Sequence, residues 1–274
     1  THPAFSPSTV DAAELDARTV GRAPLLKRLA DRIVSSAQDG SRPHTLLVAP
    51  RGAGKTHTLQ VAIHRALKQR KAAKATLLMI LPEDALAIGN YPDLLVELLR
   101  TQGPDAHERA KELRGDALEL EREILDLAAG RMVLVAIENA DRIFDAIGEA
   151  GQGSFRAWVE TSTAVLVFAT APALFPAVSS RTHPWYGSFI IEELPDLADT
   201  DIAELLVEPA GLWPELLCRP AKRRPGSDRR RTATQGPSPP DSGCAHRLLA
   251  GRGPATTPGR YQNHHQRCRE RPAG

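Results

Sequence analysis

Nearly continuous apolar runs alternate with longer amphipathic segments over the greater part of the chain. Five runs predict buried strands, at residues 46–49, 75–81, 131–137, 164–170 and 189–194. Such runs are typical of interior strands in a parallel sheet that helices cover on both faces. The intervening segments have the apolar spacing of helices, at residues 25–33, 56–67, 92–100 and 105–129. This alternation predicts an α/β fold with a three-layer parallel sheet, in which a ligand binds at the carboxyl ends of the strands.

A loop of small residues follows the first predicted strand and leads directly into a helix. Its sequence, Ala49-Pro50-Arg51-Gly52-Ala53-Gly54-Lys55-Thr56, matches the Walker A pattern G-x-x-x-x-G-K-[ST] except that Ala49 replaces the first glycine. The free N–H groups at a helix N-terminus bind phosphate, and glycines keep side chains away from those groups. The motif therefore predicts a P-loop NTPase. The alternative is a glycine-rich turn with a chance Lys-Thr pair.

In such a P-loop the lysine contacts the β- and γ-phosphates and the hydroxyl of the next residue ligates Mg²⁺. These roles fall on Lys55 and Thr56. The residues of the loop predicted to bind ATP are Pro50, Arg51, Gly52, Ala53, Gly54, Lys55, Thr56 and His57.

The third predicted strand ends in acidic residues, in the segment Ile137-Glu138-Asn139-Ala140-Asp141. A carboxylate at the end of a strand beside a P-loop is the Walker B arrangement, which holds Mg²⁺ through water. Glu138 is therefore predicted to act with Thr56 at the metal.

Together these motifs resemble the AAA+ superfamily, in particular its origin-recognition and signalling branch. The matching segments are Val20-Gly21-Arg22, the P-loop, the end of the third strand, Thr170 and the turn at 194–197. The resemblance covers residues 19–208. It implies that Gly21 and Arg22 line the adenine and ribose, and that Glu138 supports Mg²⁺. It also implies that Thr170 orients the attacking water and that Arg181 lies where an arginine finger is often found.

One departure from that family concerns catalysis. Typical active members end the Walker B strand with two acids, and the second acid polarises the attacking water. Here the second position is Asn139, which can orient water but cannot accept its proton. Asp141 is a candidate replacement, although it could equally be the N-cap of a following helix. Phosphoryl transfer depends mainly on positioning and charge stabilisation, so we expect ATP binding with slow or partner-dependent turnover.

Composition divides the chain at residue 218. Residues 218–274 contain 13 Lys and Arg against 3 Asp and Glu, whereas residues 1–217 contain 22 against 30. All three cysteines lie in the basic segment, where 15 of 57 residues are Gly or Pro. That segment lacks periodicity and cannot bury enough apolar surface to offset the ordering of its backbone.

Three interpretations of residues 218–274 remain open: a disordered basic tail that contacts nucleic acid, a tail that folds on a partner, or a translated frameshift. The frameshift is favoured because unpaired cysteines appear where periodicity ends. The predicted division is a flexible lead-in at 1–18, an ATP-binding domain at 19–198, the beginning of a helical lid at 199–217 and the tail at 218–274. With a frameshift, the remaining lid and any C-terminal DNA-binding or effector domain would be missing.

The sequence therefore predicts a slow or partner-stimulated, Mg²⁺-dependent ATPase. One alternative is an ATP-dependent conformational or assembly switch with little hydrolysis, which Asn139 favours. Another is a DNA-associated ATPase of replication or transposition type, which the acidic residues 1–217 do not favour. The resemblance implies assembly with further copies, and a DNA or protein partner stays open. The chain has no run of about 18 apolar residues and no visible secretory signal, so we predict a cytoplasmic protein with no membrane partner.

Overall fold

Five parallel strands form the centre of the molecule in a computed structural model, which describes residues 11–83 and 87–207, with side chains to residue 203. The strands are β1 (Thr45–Val48), β2 (Thr76–Leu81), β3 (Met132–Ile137), β4 (Val165–Ala171) and β5 (Ile190–Glu193). Their order across the sheet is β2-β3-β4-β1-β5, and every neighbouring pair is parallel. The predicted parallel sheet and its five strands are confirmed.

Helices cover both faces of this sheet. They are α1 (Ala12–Ala17), α2 (Ala23–Asp39), α3 (Lys55–Leu67), α4 (Arg70–Lys74), α5 (Tyr91–Arg100), α6 (Pro104–Glu112), α7 (Ala117–Ala128), α8 (Ala140–Ser162), α9 (Pro176–Ser179) and α10 (Asp199–Val207). Alternate residues of β3 enter two separate cores: Val133 packs with α5, α7 and α8, whereas Leu134 packs with α2 and α3. A strand buried on both sides has to be apolar at every position, which explains the continuous runs in the sequence.

Part of the predicted flexible lead-in, residues 1–18, is helical. Helix α1 packs on α3 through the buried Leu15, and the Asp16 carboxylate accepts hydrogen bonds from Arg65 Nε (2.7 Å) and Lys68 Nζ (2.8 Å). Burial opposes ionisation of Asp16, but these two cations hold its pKa below the usual value. The prediction of a loose lead-in is therefore wrong for residues 12–17, because contacts distant in sequence hold this short helix.

The single helix predicted over 105–129 is also wrong. The chain forms α6 and α7 with a break at 113–116, where Asp116 accepts hydrogen bonds from the N–H groups of Leu118 and Glu119 and so caps α7. Leu118, within the segment predicted as one helix, is 69% exposed in the first turn of α7.

Residues 208–274 lie outside the described part of the chain, and with them the predicted tail at 218–274 and most of the predicted lid. Residues 199–207, where the lid was predicted to begin, form α10. Among the described residues, no helix has the length and hydropathy needed to cross a membrane.

Candidate phosphate-binding site

The loop between β1 and α3 has the geometry of a phosphate cradle. Gly52 and Gly54 have φ values of +80° and +88°, a region that residues with a Cβ rarely adopt. A Cβ added to Gly54 would lie 3.1 Å from Arg22 Nη1, so a larger residue would also force the Arg22 side chain to shift. The N-cap residue of α3 is Gly54, which has no side chain that could accept from the first N–H groups of the helix. The first N–H groups of this helix therefore remain available to an anion.

Lys55 connects the two ends of this loop. Its ammonium donates to the carbonyl oxygens of Ala49 (2.7 Å) and Pro50 (3.0 Å), and the residue is 7% exposed. Burial lowers the pKa of Lys55, and the negative charges of Asp141 and Glu83 oppose that shift. Lys55 thus places a cation beside the N-terminus of α3, as the Walker A pattern predicts.

Glu138, at the end of β3, faces the first turns of α3. The Thr56 hydroxyl donates to Glu138 Oε2 (3.1 Å), and Gln60 Nε2 lies 3.5 Å from Glu138 Oε1. The structure therefore brings together the two residues predicted to act at Mg²⁺. Gln60 was not predicted, although it lies one helical turn beyond Thr56 and therefore on the same face of α3.

Two protein oxygens beside a P-loop fit Mg²⁺, which keeps several waters and binds through one or two protein groups plus substrate phosphates. Thr56 and Glu138 supply such oxygens. Clusters of three or more His, Cys, Asp or Glu side chains able to hold a metal are absent from the described residues. Thr56 and Glu138 are therefore the residues that could hold Mg²⁺ together with a bound phosphate.

Asn139 occupies the junction between β3 and α8 in a left-handed conformation, with φ of +49°. Its backbone N–H donates to Thr170 Oγ1 on β4 (3.1 Å), and Thr170 is 1% exposed. The predicted sensor hydroxyl therefore contacts the end of the Walker B strand.

Asp141 is not the N-cap of α8, because Asn139 holds that position and α8 begins at Ala140. Within the described residues, Asp141 Oδ1 is buried without a hydrogen-bond partner. The carboxylate is close enough to Lys55 to oppose the lowering of its pKa. The N-cap role, which the sequence left open as an alternative for Asp141, is therefore wrong.

A cavity of about 640 Å³ opens at the N-terminus of α3. This volume lies within the roughly 300–1,000 Å³ range of small-molecule sites. Among the residues that the structure describes, four cationic side chains line it, from Arg18, Arg22, Arg51 and Lys55, together with one carboxylate, from Glu83. Residues 51–58 and Asn139 contribute further to the wall. The cavity thus combines free helical N–H groups with an excess of positive charge.

Arg22 reaches from the start of α2 to the P-loop, where its Nη1 donates to Ala53 O (2.8 Å). Its Nε donates to Pro195 O (3.1 Å) in the turn after β5. Gly21 precedes it and faces Asp201 of α10, since an added Cβ would lie 2.6 Å from Asp201 Oδ2. Arg22 lines the cavity, as the resemblance implies, and Gly21 lies next to it.

His57 extends the cavity wall beyond the phosphate loop. Its Nε2 lies 2.7 Å from Thr19 Oγ1, and the Thr19 hydroxyl donates to Leu15 O (2.7 Å). Because Thr19 donates its hydroxyl proton to Leu15 O, its oxygen accepts a hydrogen bond from His57 Nε2–H. In the neutral ring the other nitrogen of His57, Nδ1, is then an acceptor. Burial and the nearby charge of Arg22 lower the pKa of His57, which favours this neutral form.

Arg181 lies apart from this group of residues. It is exposed in the turn after α9 and does not line the cavity. The assignment of an arginine finger therefore stays a prediction that requires a second subunit.

Solved structures with a similar fold are known. The match to the ORC2 protein of Aeropyrum pernix, solved in complexes with ADPNP and ADP, has 13% sequence identity and a TM-score of 0.55, and covers 70% of this chain and 52% of that one. The match to the A. pernix ORC1 protein in complex with DNA has 14% identity and a TM-score of 0.52, and covers 71% and 50%. The chain has the AAA+ ATPase fold.

The AAA+ match spans about half the length of those ORC proteins. No protein-family model matches the chain, and no curated protein matches it. The fold agrees with the resemblance found in the sequence. The matched structures support the fold, whereas the geometry of the site supports the proposed roles of individual residues.

Proposed function

We propose that this AAA+ protein binds ATP with Mg²⁺ and hydrolyses it slowly or on stimulation by a partner. The observation that carries the proposal is the cavity at the N-terminus of α3, where Lys55 and Thr56 line the wall and Thr56 is hydrogen-bonded to Glu138. The free N–H groups of α3 and Lys55 bind the β- and γ-phosphates. Their position at the carboxyl ends of β1 and β3 is where this type of sheet binds ligands.

Thr56 and Glu138 are the protein groups that would hold Mg²⁺. A metal held there would neutralise the negative charge that develops on the phosphates during transfer. Glu138 is 4% exposed, so its carboxylate has a fixed position before any ligand arrives. A preorganised group costs little reorganisation at the moment of reaction.

Hydrolysis requires a water oxygen to attack the γ-phosphorus while ADP leaves. The Asn139 N–H donates to the Thr170 hydroxyl oxygen. The Asn139 side-chain amide and the Thr170 O–H are therefore the groups proposed to orient this water. Asn139 cannot take its proton. Asp141, with a buried carboxylate oxygen that lacks a partner in the described structure, is the candidate acceptor.

The second candidate function is an ATP-dependent switch, and Asn139 favours it because the site then binds ATP with little turnover. A DNA-associated role is a third hypothesis, since the ORC1 neighbour was solved with DNA. The net negative charge of residues 1–217 opposes a DNA-associated role. Assembly with further copies, a protein partner and a cytoplasmic location also remain hypotheses.

Single-turnover hydrolysis separates the ATPase from the switch. We expect the full chain to release phosphate from ATP in Mg²⁺ and not in EDTA. Glu138→Gln should lower the rate at least about 10-fold, because one charge-assisted contact to the metal is lost. ATP binding without Mg²⁺-dependent phosphate release would refute the ATPase and leave the switch.

A further inference from the structure

Three segments of the chain meet at the Arg22 guanidinium. Its Nη1 donates to Ala53 O in the P-loop (2.8 Å), and its Nε donates to Pro195 O in the turn before α10 (3.1 Å). Arg22 is the N-cap residue directly before α2 and has a left-handed backbone conformation, with φ of +56°, after Gly21 at +67°. The backbone strain at Arg22 is of the kind that persists only where surrounding contacts determine it.

The surroundings of Arg22 hold its side chain in one place. Arg22 is partly buried, and burial lowers its pKa while the charges of Asp196 and Asp201 oppose that shift. Nη1 would lie 3.1 Å from a Cβ at position 54, so the guanidinium lies directly against the backbone of Gly54. A planar guanidinium presents its donors in a fixed fork and can bond two acceptors at once, which a lysine ammonium does less well.

The hydrogen bond to Ala53 O has a consequence for phosphate binding. The peptide that joins Ala53 to Gly54 is planar and trans, so its C=O and N–H point in opposite directions. A donor that holds the carbonyl of Ala53 therefore also fixes the direction of the Gly54 N–H. That N–H belongs to the loop whose backbone binds the phosphates.

We propose that Arg22 is a positioning residue that holds the Ala53–Gly54 peptide of the P-loop and connects it to the turn at residues 195–198, before α10. The proposal rests on the proposed nucleotide binding and adds a regulatory contact to the same site. A shift of α10, or of whatever binds it, moves Pro195 and with it the donor that orients the P-loop. Conversely, a ligand that stabilises the loop stabilises the turn by the same free energy.

This role differs from the direct contact with adenine and ribose that the family resemblance implies for Arg22. A direct contact affects only the liganded protein. A positioning contact also affects the P-loop and the turn before any nucleotide is added. Hydrogen exchange without nucleotide therefore distinguishes the two roles.

The test compares Arg22→Lys with Arg28→Lys in the full chain. Arg28 also lies on α2, is exposed and pairs with Glu192 outside the cavity, so it controls for the loss of a guanidinium. Two quantities are measured: amide hydrogen exchange of segments 49–57 and 194–203 without nucleotide, and the Kd for ATP. Arg22→Ala, measured in the same way, removes the charge as well.

We expect Arg22→Lys to raise exchange in both segments and to weaken ATP binding, each at least about 5-fold, while Arg28→Lys changes neither. Unchanged exchange in segment 49–57 of both Arg22 variants would overturn the proposal. Weaker ATP binding with unchanged exchange would also overturn it and would assign Arg22 a direct contact. If the unmodified chain does not bind ATP, the proposed function fails, and the exchange result still decides whether Arg22 holds the loop.

Discussion

At the scale of single residues, the proposed choice between ATPase and switch depends on Asn139. Asn139 has a φ of +49°. Among residues with a Cβ, Asn and Asp adopt this left-handed conformation most readily. The contact with Thr170 uses the backbone N–H and is independent of the side chain. Asp has the same size and shape as Asn. An Asp side chain therefore fits this position sterically.

Asn139→Asp should raise the single-turnover rate of ATP hydrolysis at least about 10-fold, because a positioned general base contributes roughly 10²–10⁴-fold. ATP affinity should change little, since the P-loop is untouched. Phosphate release under excess enzyme measures the rate, and equilibrium binding measures the affinity. An unchanged rate would show that the missing base does not limit turnover.

Asp141→Asn is the matched control for that prediction. It makes the reverse change, carboxylate to amide, two residues away. If Asp141 accepts the proton in the native protein, this variant loses residual hydrolysis and keeps ATP binding. Adding Asn139→Asp to it should then restore the rate.

At the scale of secondary-structure elements, His44 joins three strands at the amino end of the sheet. Its Nδ1 accepts a hydrogen bond from Val167 N–H of β4 (3.1 Å), and its carbonyl accepts from Ile190 N–H of β5 (2.8 Å). Its ring packs edge-on against Trp185 and Phe189. Burial lowers the pKa of His44 from 6.5 to about 4. The sheet therefore requires the neutral ring.

This pKa predicts a loss of stability in mild acid. Between about pH 6.5 and pH 4 the unfolded state binds a proton at His44 that the folded state does not, so stability falls as the pH falls. From pH 7 to pH 5 the free energy of unfolding should decrease by about 2 kcal/mol from this group. Urea unfolding at the two pH values measures the difference.

His44→Asn serves as the control, because its amide oxygen can accept from Val167 N–H and does not titrate. The variant should lose packing at every pH, but the decrease between pH 7 and pH 5 should become smaller by about the same 2 kcal/mol. An equal decrease in both proteins would assign the acid sensitivity to other groups.

The local pattern of apolar residues was sufficient to predict the strands and helices that bury a continuous apolar surface. β3 was predictable because each of its residues enters one core or the other, and the P-loop because its residue types follow directly from phosphate binding. Helix α1 has six residues and one buried leucine, so its sequence carries little periodic signal. The break between α6 and α7 depends on the cap at Asp116 within an otherwise helical composition.

The contacts of Gln60 and Arg22 could not be predicted for a different reason. Gln60 meets Glu138 across 78 positions of sequence, and Arg22 meets Pro195 across 173. Both contacts depend on how one element is placed against another. Spacing along the chain carries no information about that placement.

At the scale of the whole molecule, charge is distributed unevenly. Residues 1–217 carry 22 basic against 30 acidic side chains, yet among the described residues four cationic side chains and one carboxylate line the cavity. Charges on exposed surfaces are screened beyond about 8 Å at physiological salt, whereas those in a cavity act at short range. The proposed binding of a small polyphosphate is therefore compatible with the negative net charge of residues 1–217.

Equilibrium binding of ATP to the full chain and to Lys55→Ala tests the central claim most directly. Lys27→Ala is the control, because Lys27 is exposed on α2 and pairs with Asp31 away from the cavity. We predict saturable binding to the native chain, a loss of at least about 10-fold in affinity for Lys55→Ala and no change for Lys27→Ala. Equal affinity in all three folded proteins, or no binding by the folded native chain, would contradict the assignment of this cavity as an ATP site.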